Sequence, residues 1–200
     1  MGPSSTAIPQ KTVEFIRMDE GSKEDYQLLH TLEQRYIEKL PDRILTALDG
    51  LKDSLAGYKV TRLEHSLQTA TRAEKDGADD ELIVAALIHD IGDDLAPENH
   101  SQMAAAIIRP YVREQVTWIL EMHGIFQMVY YADKLGLNPD ERERYRGHKW
   151  FDDAEQFCRD WDQLSFDPDY PTLPLSHFKD RVRAIFSRPA FDPEILHATA

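Results

Sequence analysis

His89 and Asp90 stand side by side at the end of an apolar run, Leu82-Ile83-Val84-Ala85-Ala86-Leu87-Ile88, and are followed by Ile91-Gly92. An imidazole beside a carboxylate is costly to bury unless something charged compensates, and a metal ion does so. The carboxylate offers a hard oxygen, the neutral imidazole offers a nitrogen, and Gly92 allows close backbone approach. Upstream, His65 lies between Leu63 and Leu67 on a helical pattern. Downstream come His100, His123-Gly124 and then Asp162 after Trp161. This set suits two ions. Asp90 is able to bridge them, which leaves His65, His89 and Asp162 for one ion and His100 and His123 for the other. Imidazole-rich sites sharing a carboxylate suit iron, manganese or zinc, and suit magnesium poorly. A lone histidine on an apolar helix face is more often a core or surface residue, and His30, His148, His177 and His197 are read that way. The ordered series of His, His-Asp, His, His and Asp carries the metal reading.

Helices must position these groups. Apolar residues recur at three- and four-residue intervals, with Leu28, Leu29, Leu32 and Ile37 on one face and Ile44, Leu45, Leu48 and Leu51 on another. Pro41 is placed to start the second of these helices. The strongest blocks run over 61–75, closed by Asp76-Gly77, and over 79–91, capped by Asp79 or Asp80. Asn99 is placed to cap a helix through Ile108, and Pro110 to open the next, which carries Val116, Ile119 and Leu120. Further helices are expected over 125–135, 139–147, 150–161 and 175–187, with a Pro- and Asp-rich surface loop over 166–174. No alternating pattern long enough for a sheet is found. The expected fold is all-α. Residues 1–20 read as a disordered leader, 21–190 as one helical bundle with an N-terminal cover over 22–55, and 191–200 as a tail.

Composition limits the function. The chain has 200 residues, 42% of them hydrophobic, and a formal net charge of -13. So acidic a chain, with no basic run, is expected to bind neither nucleic acid nor an anionic membrane surface. No apolar run approaches the ~20 residues that span a bilayer. The single cysteine, Cys158, excludes an internal disulfide and fits a cytoplasmic location. Nothing in the sequence fixes an oligomeric state.

The segments Leu63-Glu64-His65-Ser66-Leu67-Gln68 and Ala85-Ala86-Leu87-Ile88-His89-Asp90-Ile91-Gly92 resemble the HD-domain superfamily over roughly 55–165, and within it the mixed-valent diiron oxygenases. The resemblance implies an HD-domain helical bundle, two iron ions as an Fe(II)/Fe(III) pair, O2 as co-substrate and oxidative cleavage of a C–P bond to phosphate and a carboxylate. It places His65, His89, Asp90, His100, His123 and Asp162 on the six ligand positions. His100 is the least secure, because the spacing after His89 is shorter than in the family's glycine-forming members. Arg159 falls on their phosphonate-binding arginine, and a guanidinium fork suits phosphonate oxygens. Three positions depart from them. Asp93 replaces a histidine, Gln127 a lysine, and Tyr58 an iron-coordinating glutamate.

These departures favour a substrate that carries its own positive charge. Phe126, Tyr130, Tyr131 and Trp161 are candidates to surround a quaternary ammonium by cation–π contact. Asp93 or Asp94 is a candidate to hold an amine. Tyr58 is expected to act near the metals, as a removable iron ligand or as a lid. The expected partner is a small organophosphonate, (R)-1-hydroxy-2-(trimethylammonio)ethylphosphonate, converted to glycine betaine and phosphate. The alternative is an HD-type metal-dependent phosphohydrolase acting on a nucleotide or phosphomonoester. A regulatory, non-catalytic module is disfavoured by the complete ligand set.

Overall fold

A computed structural model describes residues 11–198. Among them are helices and turns and no strand. The chain divides into two compact units, Met1–Leu40 and Pro41–Ala200. The first part of the expected leader, 1–10, lies outside the described residues, and 11–20 include a 3-10 turn at Met18–Glu20. In the first unit, α1 (Lys23–Ile37) is started by a reciprocal cap between Ser22 and Asp25. It buries none of its residues. Leu28, Leu29 and Leu32 are only half-buried, and Ile37 is exposed. Among the described residues no helix is long and apolar enough to cross a membrane.

In the second unit α2 (Leu40–Gly50) turns Ile44, Leu45 and Leu48 into the core. α3 (Arg62–Lys75) begins at a second reciprocal cap, with Thr61 accepting from the Glu64 N–H and Glu64 from the Thr61 N–H. The small residues Ser66, Thr69, Ala70 and Ala73 are buried along it and let α4 (Asp80–Ile88) pack close. Asp79 caps α4, and every residue from Ile83 to Ile88 is buried. A helix apolar all round belongs at the centre of a bundle. α5 (His100–Ile108) and α6 (Glu114–Gln127) form a second pair. Their close approach is set by Gly124, where an added Cβ would meet Ser101 Oγ at 2.6 Å. α7 (Phe151–Gln156) continues directly into a π-helical stretch, Phe157–Asp162. α8 (Leu175–Phe186) lays Phe178, Val182, Ile185 and Phe186 on α4, and Arg181 and Arg188 tie it to Asp80 and Glu81. α9 (Pro193–Leu196) is a single turn.

Several boundaries differ from the periodic reading. Pro110 does not open α6, which starts at Glu114 after a tight turn. Asn99 precedes α5 without a side-chain cap bond. The helices expected over 125–135 and 139–147 are short 3-10 turns at Met128–Tyr130, Ala132–Leu135 and Glu141–Tyr145. Gly136 in the left-handed conformation closes the second of these turns.

Candidate metal centre

Six side chains from five segments converge. His65 comes from the first turns of α3, His89 and Asp90 from the end of α4, His100 from the start of α5, His123 from α6 and Asp162 from the end of the π-helical stretch. The extra residue per turn of a π-helix changes the direction in which its last side chains leave the axis. Asp162 points into the bundle while Arg159 stays exposed. All six ligand candidates are buried except His100, whose side chain is 26% exposed.

The imidazoles are aimed by their far nitrogens. Nδ1 of His65 donates to the Ser165 carbonyl at 2.9 Å, that of His89 to Ala86 at 2.8 Å and that of His123 to Leu120 at 2.7 Å. A carbonyl only accepts, so the proton sits on Nδ1, and a neutral ring presents a lone pair at Nε2. Those lone pairs face one another. His65 Nε2 and His89 Nε2 lie 3.0 Å apart. Asp90 Oδ2 is 3.2 Å from His65 Nε2 and 3.0 Å from His89 Nε2, and Asp162 Oδ1 is 3.2 Å and 3.6 Å from the same two atoms. The other oxygen, Asp90 Oδ1, is 3.4 Å from His100 Nε2 and 3.6 Å from His123 Nε2. Two donors at right angles, each about 2.1 Å from one ion, stand about 3 Å apart, so these separations are those of a ligand cage.

Two further observations fit a cation here. His123 Nε2 and Asp162 Oδ2 are buried without any hydrogen-bond partner, a state that native structures rarely tolerate. Converging acceptors also need positive charge between them, and protons take that place when no metal is bound. Burial alone would push His89 down, but the charges of Asp90 and Asp162 outweigh it and hold the ring well above its usual value. Burial likewise lowers His65, and its bonds to Asp162 and Asp90 outweigh that. Burial would raise both carboxyls, and the His89 charge reverses this and holds them well below the usual carboxylate range.

A cavity of about 360 Å³ opens over the cluster. Tyr58, Tyr130, Tyr131 and Phe166 wall it, Gln127 and Gln163 add amides, and Arg62 adds a guanidinium. Tyr58 is 53% exposed and stacks on Phe166 at 4.9 Å, and Phe166 stacks on the His65 ring at 4.3 Å. Neither Arg62 nor Phe166 was found by sequence reasoning. Arg62 is three residues before His65, on the same helix face, so spacing contained the signal. Phe166 sits in an aperiodic loop and carried none.

Other sequence candidates lie elsewhere. Arg159, expected to hold a phosphonate, does not line the cavity and instead holds Asp160 through Nε and Nη2, both at 2.7 Å. Trp161 is a core residue whose indole donates to Asp76 at 2.7 Å, and Phe126 is packed against Phe151 and Trp118. Neither faces the cavity. Asp93, a candidate for the substrate amine, accepts from Arg62 Nε at 2.6 Å, and Asp94 accepts from Ser54. Both carboxylates are therefore engaged within the protein.

Residues 62–167 match the HD domain. Over 78 residues the chain is 35% identical to the [1-hydroxy-2-(trimethylamino)ethyl]phosphonate dioxygenase (glycine-betaine-forming) of Leisingera caerulea, an alignment covering 34% of this chain and 40% of that protein. The match thus spans about two fifths of the relative's length. With its His-Asp pair at the end of α4 and a buried His/Asp cluster able to hold metal, the chain belongs to the HD-domain family.

Proposed function

We propose that this HD-type metal enzyme is a dinuclear-iron oxygenase. It cleaves the C–P bond of a 1-hydroxy-2-(ammonio)alkylphosphonate, and the trimethylated compound is its substrate. The carrying observation is Asp90, whose two oxygens each face a different pair of imidazole nitrogens. That is the placement a bridging carboxylate needs, and nitrogen-rich paired sites suit iron. The name of the Leisingera caerulea relative supports the substrate class.

The chain's own residues have distinct tasks. Tyr58, Tyr130, Tyr131 and Phe166 enclose the space above the ligands. Aromatic faces attract a quaternary ammonium by about 0.5–2 kcal/mol. A primary amine instead needs hydrogen-bond acceptors, and Asp93 and Asp94 are already engaged. Gln127 and Gln163 can donate to phosphonate oxygens, and Arg62 offsets part of their charge. Tyr58 stands at the mouth, where a lid would close. Bound iron supplies O2 activation and acidifies the substrate hydroxyl. The stoichiometry balances with one O2 per substrate. The C–P bond breaks, the carbinol carbon becomes the carboxylate, and phosphate and glycine betaine leave without an external reductant.

The test is anaerobic loading with iron, followed by measurement of phosphate, betaine and O2 uptake. Equimolar values support the proposal. Phosphate released from phosphomonoesters without O2 overturns it in favour of a metal-dependent phosphohydrolase. One placement favours that second reading. Arg62 is the cation beside the ligands, where a metal-held phosphate would lie, whereas Arg159 is turned away.

A further inference from the structure

We infer that Asp93, anchored by Arg62, is the positioning residue that makes His100 a metal ligand. This rests on the dinuclear reading of the site. His100 differs from its three partners. Their Nδ1 atoms donate to main-chain carbonyls at 2.7–2.9 Å. His100 Nδ1 instead makes a longer bond to the Pro97 carbonyl, at 3.4 Å. His100 is also the most exposed of the four and opens a helix that Asn99 does not cap. Backbone alone therefore leaves its ring poorly fixed.

The carboxylate of Asp93 stands beside His100 Nδ1 as a charge, beyond hydrogen-bond length in this arrangement. Its Oδ1 is 3.7 Å from His100 Nδ1, on the side away from Asp90, whose Oδ1 faces His100 Nε2 at 3.4 Å. Its Oδ2 accepts from Arg62 Nε at 2.6 Å, and Arg62 Nη2 donates to Asp90. Asp90, His100, Asp93 and Arg62 thus form a closed ring of charged and polar groups. Gly92 makes the ring possible, because an added Cβ there would meet His100 Cα at 2.9 Å and its carbonyl oxygen at 3.0 Å. A carboxylate behind a ligating imidazole keeps the proton on the far nitrogen and raises the basicity of the near one. Arg62 holds one Asp93 oxygen and leaves the other to His100. Asp93 is thereby assigned to the metal site and not to the substrate amine.

The experiment titrates metal-free protein with Co(II), by calorimetry and elemental analysis, for wild type, Asp93→Ala, Asp93→Asn and His100→Ala. Wild type should bind two ions. Asp93→Ala should weaken the second ion by roughly 10–100-fold and leave the first unchanged. Asp93→Asn, which keeps an acceptor but loses the charge, should fall between. His100→Ala should lose the same ion. With both sites filled, X-ray absorption should count the same donors in Asp93→Asn as in wild type, and the ratio of KM values for an ammonio substrate and its uncharged phosphonate analogue should not move. A missing oxygen donor would make Asp93 a direct ligand, and a KM raised for the ammonio substrate but not for its uncharged analogue at full metal loading would return it to the substrate amine. Either result overturns the inference, as does two-ion binding by both Asp93 variants at wild-type affinity. Should Asp93→Ala fail to fold, Asp93→Asn and His100→Ala decide. Wild type binding fewer than two ions removes the dinuclear reading itself, an outcome distinct from two ions with no Asp93 effect.

Discussion

Asp90→Asn is the substitution that most directly probes a shared carboxylate. The change keeps the volume and removes the charge. Asp90 Oδ2 serves His65 and His89 at 3.2 Å and 3.0 Å, and Oδ1 serves His100 and His123 at 3.4 Å and 3.6 Å. An amide has one acceptor oxygen and one NH2 group, so whichever pair the NH2 faces meets a donor where an ion should sit. Both sites lose the negative charge, and one also loses its oxygen. An ion at 100 times its Kd stabilises the folded state by about 2.7 kcal/mol, so two contribute about 5.4 kcal/mol. For a chain of this size each kcal/mol is worth about 2–4 °C. Metal should therefore raise the wild-type Tm by roughly 11–22 °C. In Asp90→Asn most of that rise should vanish, while Asp162→Asn should lose about half, because Asp162 touches only the His65 and His89 side. Differential scanning calorimetry of metal-free and metal-loaded protein, with elemental analysis, measures both quantities. A full metal-induced rise in Asp90→Asn, with two ions retained, would refute the bridging role.

Other outcomes are expected from the same geometry. His65 and His89 hold protons more tightly than free imidazole, so a metal must displace those protons. Affinity should therefore fall as pH drops and rise as pH increases above 6.5, and binding should release protons, which titrations in buffers of different ionisation enthalpy detect. Arg159→Ala should leave the KM for a phosphonate unchanged, while Tyr131→Leu should raise it more for the trimethylated compound than for the primary amine. A large KM effect of Arg159→Ala would show that its pair with Asp160 opens. Trp161→Leu should lower stability by about 3 kcal/mol in chemical denaturation, through lost burial and the stranded Asp76 partner, without changing that substrate preference. Tyr58→Phe preserves the stack on Phe166 and should abolish any phenolate-to-iron colour of the oxidised protein. A colourless wild type leaves Tyr58 a lid.

Hydrophobic period and ligand order determined much of this protein on their own. An apolar segment from Leu82 to Ile88 behind a helix cap at Asp79 reads as a buried helix, and its end at His89-Asp90 delivers two polar groups to the core. The six candidate ligands were legible because metal chemistry restricts residue type and leaves its signature in the chain itself. The α-helices of the core were legible for the same reason, since their periods are local. What lay between elements was not. The 3-10 turns over 128–145 carry apolar residues at helical spacing without continuing a helix, because propensity does not record where packing stops. The partners of charged side chains were also decided in three dimensions. Arg159 and Asp93 have the right types for a substrate, yet Asp160 lies within reach of one and Arg62 within reach of the other. The Arg62–Asp93 pair joins two separate elements, which one-dimensional spacing does not contain, whereas Arg159 and Asp160 are sequence neighbours, and what the tertiary structure decided there is that Arg159 does not line the cavity. Phe166 reaches the His65 ring because α3 holds its loop through Gln68 and Arg72, which donate to the Asp167 and Leu164 carbonyls. Only the packing of that loop against α3 makes an aperiodic Pro- and Asp-rich segment into a wall of the cavity.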